Sequence, residues 1–348
     1  MERVADLSDA ELSYRFYGGR AGQKIGILID GEPWIAKYPR SGRDLVGRHV
    51  PGHASSPVAE WLGSHIYSSV GIPAHETMLG WHGGKVVCAC RDFCVDGAQL
   101  VEFNRLKNTL SDDEEDFVGS PSDGEVIWLQ DVLSSLSLVE LLRTTPGVVD
   151  RFWDMFVMDA FIKNPDRNNG NWGLLLGGGL PPRLAPIYDN GSSLFSKRSA
   201  SLTAARLDDA HLLDEDAFGT NVSCYRLPDA DDPRGKAIHP FAYMMTSTNP
   251  DLLAAVVRAA SNIDPAAIDA LIDAVPEEAY GRILMTPDQR ASHKRLLRLR
   301  LDRGIIPAAD RARDEGLGDR GTGVLSPCDS TPVPLSPDRA CCAARSWS

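Results

Sequence analysis

The run Asn164-Pro165-Asp166-Arg167-Asn168-Asn169-Gly170-Asn171 sets an acid and a carboxamide five positions apart, and Tyr188-Asp189-Asn190-Gly191 adds a second carboxylate. A carboxylate able to take a proton from a hydroxyl, next to a carboxamide and a carboxylate able to hold a hard divalent cation, is a donor set for phosphoryl transfer. Asp166 is the candidate base, and Asn171 and Asp189 are the candidate Mg²⁺ ligands. Each piece alone is also an ordinary polar turn, since Asn-Pro-Asp and Asp-Asn-Gly are common turn formers. The chemistry requires the three side chains to converge.

The elements around them predict that they do. Trp172 to Leu176 and Arg183 to Tyr188 are strand-like runs separated by Gly177-Gly178-Gly179-Leu180-Pro181-Pro182, which reads as a hairpin. With Leu176 facing Arg183, Asn171 falls opposite Tyr188 and beside Asp189. Opposed residues on such a ladder stand about 4.5 to 5.5 Å apart at Cβ. Asp150 to Lys163, apolar on nearly every side, predicts a buried helix that delivers the chain into the Asp166 loop.

Upstream, Tyr14 to about Val95 reads mostly as strands. Lys24 to Ile29 and Pro33 to Tyr38 flank Asp30-Gly31, a hairpin signal. Ahead of it Gly18, Gly19 and Gly22 let backbone N–H groups approach an anion, though a plain hairpin loop has the same composition. Lys37 shares a strand face with Ile35, where an ammonium needs an anionic partner such as nucleotide phosphate or must snorkel to water. Ser56-Pro57 opens a helix with Ser56 as N-cap, and Gly71 closes it. Its apolar stripe is Val58, Trp61, Leu62 and Ile66; Glu60, on the other side, either reaches Lys37 or meets solvent. Strands His75 to Leu79 and Lys85 to Cys90 follow. Arg91-Asp92-Phe93 is then a connector whose backbone could bind a nucleotide base.

Composition narrows the class. The 348 residues suffice for two lobes, and 43% hydrophobic with 24% charged residues is an ordinary globular balance. A net charge of -12 argues against general nucleic-acid binding. No apolar run approaches the roughly 18 residues of a membrane span, so a cytoplasmic location is expected. Seven cysteines, an odd number, suit a reducing compartment, and the alternation of Cys88 and Cys90 predicts packing on one strand face, not metal binding. Ser111 to Asp116 reads as a solvated acidic loop. Helices are expected at Pro250 to Ser261, Pro265 to Ala274 and Asp288 to Arg303, with a Pro-, Gly-, Ser- and Asp-rich tail from about Ala308. The resulting organisation is α+β: 1–95 strand-rich with one helix, 96–307 mainly helical, and 308–348 a disordered tail.

These residues resemble the HipA-like serine/threonine kinases, particularly the short members of the CtkA type. The resemblance runs from Tyr14 to Ile306. It rests on Tyr17-Gly18-Gly19 with Lys37, on Ser56-Pro57-Val58-Ala59-Glu60 leading to Gly71-Ile72-Pro73, on Asn164-Pro165-Asp166 with Asn171, and on Ile187 to Ser193. It implies a two-lobed, protein-kinase-like fold with a β-rich N-lobe, a mainly helical C-lobe and ATP between them. Asp166 would be the catalytic acid, Asn171 and Asp189 the Mg²⁺ ligands, and Lys37 the contact to the α- and β-phosphates. A protein bearing Ser or Thr is the implied acceptor.

Three departures limit the carry-over. Asn168 stands where many relatives have histidine, and no Ser or Thr lies between Gly18 and Ile29 to be self-phosphorylated in the nucleotide loop. Few residues precede that loop, where full-length HipA toxins carry a further subdomain, so an antitoxin partner is not carried over. Ser192, Ser193 and Ser196 instead lie where kinases place an activating or gating segment, with Lys197 and Arg198 to meet an added phosphate; the alternative is a plain polar turn. The same three chemical residues would serve a small-molecule or lipid kinase, although no basic membrane-facing stripe supports the lipid version. A nucleotide-binding scaffold without transfer is disfavoured by the presence of all three.

Overall fold

The structure, a computed structural model, describes residues 4–13, 15, 17, 23–39, 55–110, 117–119 and 126–316. The expected nucleotide-loop glycines Gly18, Gly19 and Gly22, the acidic run 111–116 and the tail from 317 lie outside the described residues.

Turn chemistry and alternation build the N-lobe. Strands β1 (Ala5–Asp6), β2 (Glu11–Leu12), β3 (Lys24–Ile29) and β4 (Glu32–Lys37) precede helix α1 (Ser55–Ser69), and β5 (Thr77–His82) and β6 (Lys85–Arg91) follow it. They form one sheet in the order β1-β5-β6-β4-β3-β2. Asp30 and Gly31, at φ 51° and 79°, make the tight turn that joins β3 to β4 with Ile29 opposite Glu32. Along β4, Trp34 and Ala36 enter a small outer core, while Ile35 and Lys37 face the cleft between the lobes. Cys88 and Cys90 pair with Lys37 and Ile35 across the sheet and are buried in the main core, the packing role their alternation predicts. α1 starts at Ser55, so Ser56 and Pro57 sit inside its first turn and Ser56 is not the cap. Val58, Trp61, Leu62 and Ile66 are buried, and Gly71, at φ 82°, turns the chain out of the helix.

The C-lobe opens with β7 (Ala98–Glu102), α2 (Phe103–Lys107), β8 (Ile127–Trp128), α3 (Leu129–Leu138) and α4 (Glu140–Thr144). α5 (Val148–Ile162) is its axis: buried along most of its length, it enters from Gly147 at φ 76° and leaves through Lys163 at φ 53°. The hairpin β9 (Gly173–Gly177) and β10 (Leu180–Leu184) follows, with β7 on the other edge of β9. Then come α6 (Ala200–Leu207), α7 (Ala210–Asp214), β11 (Tyr225–Leu227), β12 (Lys236–Ala237), α8 (Pro240–Thr246), α9 (Pro250–Asn262), α10 (Pro265–Ala274), α11 (Pro287–Arg300) and α12 (Ile306–Asp314). Asn249, Asp264 and Thr286 cap α9, α10 and α11, each just ahead of a proline in the first turn, so these helices begin where side-chain oxygen and fixed φ coincide. One hydrophobic cluster joins α1 of the N-lobe to α5, α9 and α12. The fold is α+β, two-lobed and protein-kinase-like, as expected.

Two further expectations need correction. The hairpin is shifted by one residue: Arg183 faces Leu175, not Leu176, because the register slips between Leu180 and Arg183. The ladder also ends at Gly173 and Ala185, short of Asn171 and Tyr188. Strand pairing therefore does not bring the two candidate ligands together. Second, the tail boundary at 308 falls inside α12, whose Ala308, Ala309 and Ala312 are fully buried; small apolar side chains allowed close helix packing that composition alone disguised.

Candidate active site

A cleft of about 1170 Å³ separates the lobes, with Lys37 on its sheet side and Asp166, Asn171 and Asp189 on its helical side. The Lys37 ammonium stands 3.0 Å from Glu60 Oε1 and 3.0 Å from Asp189 Oδ1. Burial opposes its charge, but the Asp189 and Glu60 carboxylates outweigh burial and hold its pKa well above the usual lysine range. Lys37 in turn pulls the Asp189 carboxyl below its ordinary value. Glu60, 1% exposed, is the inward alternative for that residue. Burial pushes its carboxyl up, yet Lys37 and His75 together bring it below the usual range. His75 Nε2 lies 3.0 Å from the same Oε1 and 3.1 Å from Ser64 Oγ. Burial lowers the His75 pKa against the pull of Glu60. The ligand atoms of Glu60, His75 and Cys90 lie within 4.8 Å of one another, but the Lys37 ammonium already supplies the cation there.

The Asp166 loop is held from behind. Arg167, 2% exposed, donates to both oxygens of Asp159 at 2.9 and 3.2 Å, to Asn190 Oδ1 at 2.6 Å, to the Asn171 carbonyl at 2.9 Å and to the Tyr188 carbonyl. Asp159 comes from α5, and it also accepts from Tyr67 at 2.8 Å and from Asn164 at 3.2 Å. One guanidinium thus ties the Asn171 end of the loop to the Asp189 segment, the convergence that the hairpin ladder does not make. A further link runs to the N-lobe: His75 N donates to Ile187 O at 2.9 Å and Ile187 N to Pro73 O at 2.8 Å. Asp189 itself sits at φ 61°, a conformation costly for a residue with a Cβ and held here by those neighbours.

Within the loop Asn171 Nδ2 donates to the Asp166 carbonyl at 2.6 Å, so Oδ1 is the atom of that carboxamide that could hold a cation. Asn168 donates from Nδ2 to Asp166 Oδ1 at 3.2 Å and accepts from Gly170 N at 2.9 Å. A carboxamide oxygen and a carboxylate on one wall suit Mg²⁺, a hard cation that takes oxygen ligands.

The connector differs from expectation in detail. Arg91 points away from the cleft, pairing with Glu76 at 3.1 Å and Glu32 at 3.5 Å on the sheet. Its amide is committed to Glu76 O, and the amide of Asp92 to Pro33 O. The Asp92 side chain is buried and accepts from Arg15 at 2.7 Å, Tyr17 at 2.8 Å and Cys94 N at 2.8 Å. Burial and Asp92 push the Tyr17 phenol upward, so it stays a donor. Phe93 lines the cleft, 5.7 Å from the Tyr188 ring. Of the three connector residues, Asp92 and Phe93 line the cleft and Arg91 does not.

Over 283 residues, 79% of this chain and 81% of the relative, the sequence is 31% identical to the serine/threonine-protein kinase CtkA of Helicobacter pylori strain J99. The chain belongs to the CtkA-type serine/threonine-protein kinases. The crystal structure of the Helicobacter pylori proinflammatory kinase CtkA superposes with a TM-score of 0.77 at 28% identity, covering 90% of this kinase and all of that chain. HipA of Shewanella oneidensis MR-1, in its complex with HipB and operator DNA, gives a TM-score of 0.49 at 14% identity over 86% of this chain and 70% of that one. No protein-family model matches the chain. Among the described residues no helix is long and apolar enough to cross a membrane.

The kinase brings Lys37, Asp92, Phe93, Asp166, Asn171 and Asp189 to one cleft, places Glu60 directly behind Lys37, and turns Arg91 away. Sequence reasoning missed Arg167, Asp159 and His75. The signal available for the first two was Asp159 set among apolar neighbours in the second half of α5, an acid whose burial demands a partner. The serines after Asp189 also divide. Ser193 is fully buried, donating to Ala59 O and Asn190 O, and Ser196 is 5% exposed. Arg198 is already bound to Asp216 through both oxygens. Of the two cations expected to meet an added phosphate, Arg198 is thus already paired, and Lys197 is exposed.

Proposed function

We propose that the chain is an ATP- and Mg²⁺-dependent kinase that moves the γ-phosphoryl group to the hydroxyl of Ser or Thr in a protein. The observation that carries the reading is the Lys37 ammonium held at 3.0 Å by both Glu60 and Asp189, across a cleft from Asp166 and Asn171. Lys37 is charged, oriented and on the cleft wall, ready to meet the α- and β-phosphates. Asn171 and Asp189 would hold Mg²⁺, which when bound offsets the negative charge of the phosphates. Asp166 accepts the proton of the acceptor hydroxyl as its oxygen bonds to phosphorus and the bond to ADP breaks. Phe93 offers the adenine an apolar face, and the rate comes from positioning and electrostatics, with no covalent intermediate on the protein.

Incubation with labelled ATP, offering casein-like proteins and a metabolite panel in parallel, tests the acceptor class. Asp166→Asn is expected to abolish transfer while leaving ATP binding within about threefold, because the base meets the acceptor and not the nucleotide. Asp189→Asn should weaken Mg·ATP binding as well as turnover. Substantial transfer by both variants, or label on metabolites alone, would overturn the assignment.

A further inference from the structure

Gly191 to Ser193 touches both halves of the machinery. A side chain at Gly191 would put Cβ 3.0 Å from Glu60 Oε2, so the backbone lies directly on the residue that holds Lys37. Ser193 Oγ donates to Ala59 O on α1, and the Asn190 side chain donates to Ser64 Oγ on the same helix at 3.0 Å. Between these anchors Ser192, half-buried, turns the other way and donates from Oγ to Asp166 Oδ2 at 3.0 Å. The opposite oxygen, Oδ1, accepts from Asn168 Nδ2. A carboxylate gripped at both oxygens cannot rotate about its terminal bond without losing a charge-assisted hydrogen bond. A carboxylate oxygen carries two lone pairs and can accept more than one hydrogen bond.

We propose that Ser192 is a positioning residue for the base: it orients the Asp166 carboxylate toward the acceptor hydroxyl and couples that orientation to the seat of α1. The proposal rests on the assignment of Asp166 as the base. Ser192 does not touch the nucleotide in this scheme, so its hydroxyl matters to turnover and not to ATP affinity. Because the segment is pinned to α1, the Lys37–Glu60 pair and the base are set together, by one stretch of backbone.

The test compares Ser192→Ala, Ser192→Cys and Ser192→Thr with wild type and Asp166→Asn, measuring kcat, KM for ATP and melting temperature. Loss of one hydrogen bond to a charged group predicts a fall in kcat of roughly ten- to a hundredfold in Ser192→Ala, with KM for ATP within about twofold of wild type. Ser192→Cys, similar in size but a poor donor, should behave like Ser192→Ala, and Ser192→Thr should recover at least about a third of kcat. That pattern separates the hydroxyl from mere packing. If Ser192→Ala turns over at the wild-type rate while Asp166→Asn is silent, Ser192 has no positioning role and the base assignment stands. If kcat falls only together with melting temperature and ATP binding, or Ser192→Thr fails as fully as Ser192→Ala, the role is structural and the proposal is overturned. An active Asp166→Asn variant, or a wild type without transfer, overturns both readings.

Discussion

A guanidinium has five N–H donors, and once buried it must satisfy them; Arg167 does so on three separate pieces of chain. Its charge is offset by Asp159, and burial, which would lower its pKa, is overcome by that carboxylate. Neither group can be removed alone. Arg167→Ala would leave Asp159 buried without its counter-ion, a change that costs about 3 to 5 kcal/mol in comparable pairs. Arg167→Lys keeps the charge but cannot span both carboxylate oxygens and two carbonyls, so partial loss is expected there too. Urea denaturation checks this: equal midpoints for wild type and Arg167→Ala would mean that Arg167 does not hold the loop to the Asp189 segment. The sequence contained the pair but not the pairing. Asp159 in an apolar helix announced a missing partner, whereas which of many arginines would arrive depends on how Asn190 and Tyr188 fold back, and spacing carries no such information.

At the level of elements, legibility followed the number of faces each one buries. The β3–β4 turn and the cores of α5, α9 and α10 were readable because a turn residue or a continuous apolar run acts locally. Glu60 was left open between cleft and solvent because amphipathic reasoning allows a helix only one buried face. α1 has two: its apolar stripe meets the core, and its other side is covered by the Asn190 to Ser193 segment. The hairpin register failed by one residue because the pairing is irregular between Leu180 and Arg183, where Pro181 and Pro182 have no N–H to donate, and spacing alone does not place such a bulge. The second face of α1 makes a testable demand at Gly63, where an added Cβ would lie 2.6 Å from Asn190 Cβ. Replacing a helical glycine by alanine ordinarily gains up to about 1 kcal/mol, whereas overpacking a buried contact costs about 1 to 3 kcal/mol. Asn190 is fully buried and fixed by Arg167 and Ser64, so it cannot move aside and the cost should win. Gly63→Ala is therefore expected to melt below wild type and to lose turnover; a variant that melts higher would refute the close approach.

For the whole molecule the question is where the folded unit ends, because the main core reaches α12 while composition turns tail-like near Ala308. α11 does not stop at Arg300 but passes through a π-helical turn, Leu301–Ile305, into α12. There Ala308, Ala309 and Ala312 are fully buried, and the Arg311 guanidinium donates to Met244 O at 3.2 Å and Ser247 O at 2.6 Å, capping the end of α8. Alanine and arginine read as tail residues only when their partners are unseen. Cutting after Ile305 removes three buried methyl groups, worth about 0.8 kcal/mol each, together with that cap. A loss of at least about 2 kcal/mol, or several degrees of melting temperature, is expected. Cutting after Gly316 leaves α12 whole and removes only the segment whose Pro327, Pro332, Pro334 and Pro337 discourage packing. That shorter chain should melt and transfer phosphate as the full chain does. Thermal melts and labelled-ATP assays of the two truncations decide the matter: a large loss on cutting after Gly316 would show that 317–348 belongs to the folded unit, and no loss on cutting after Ile305 would show that α12 does not.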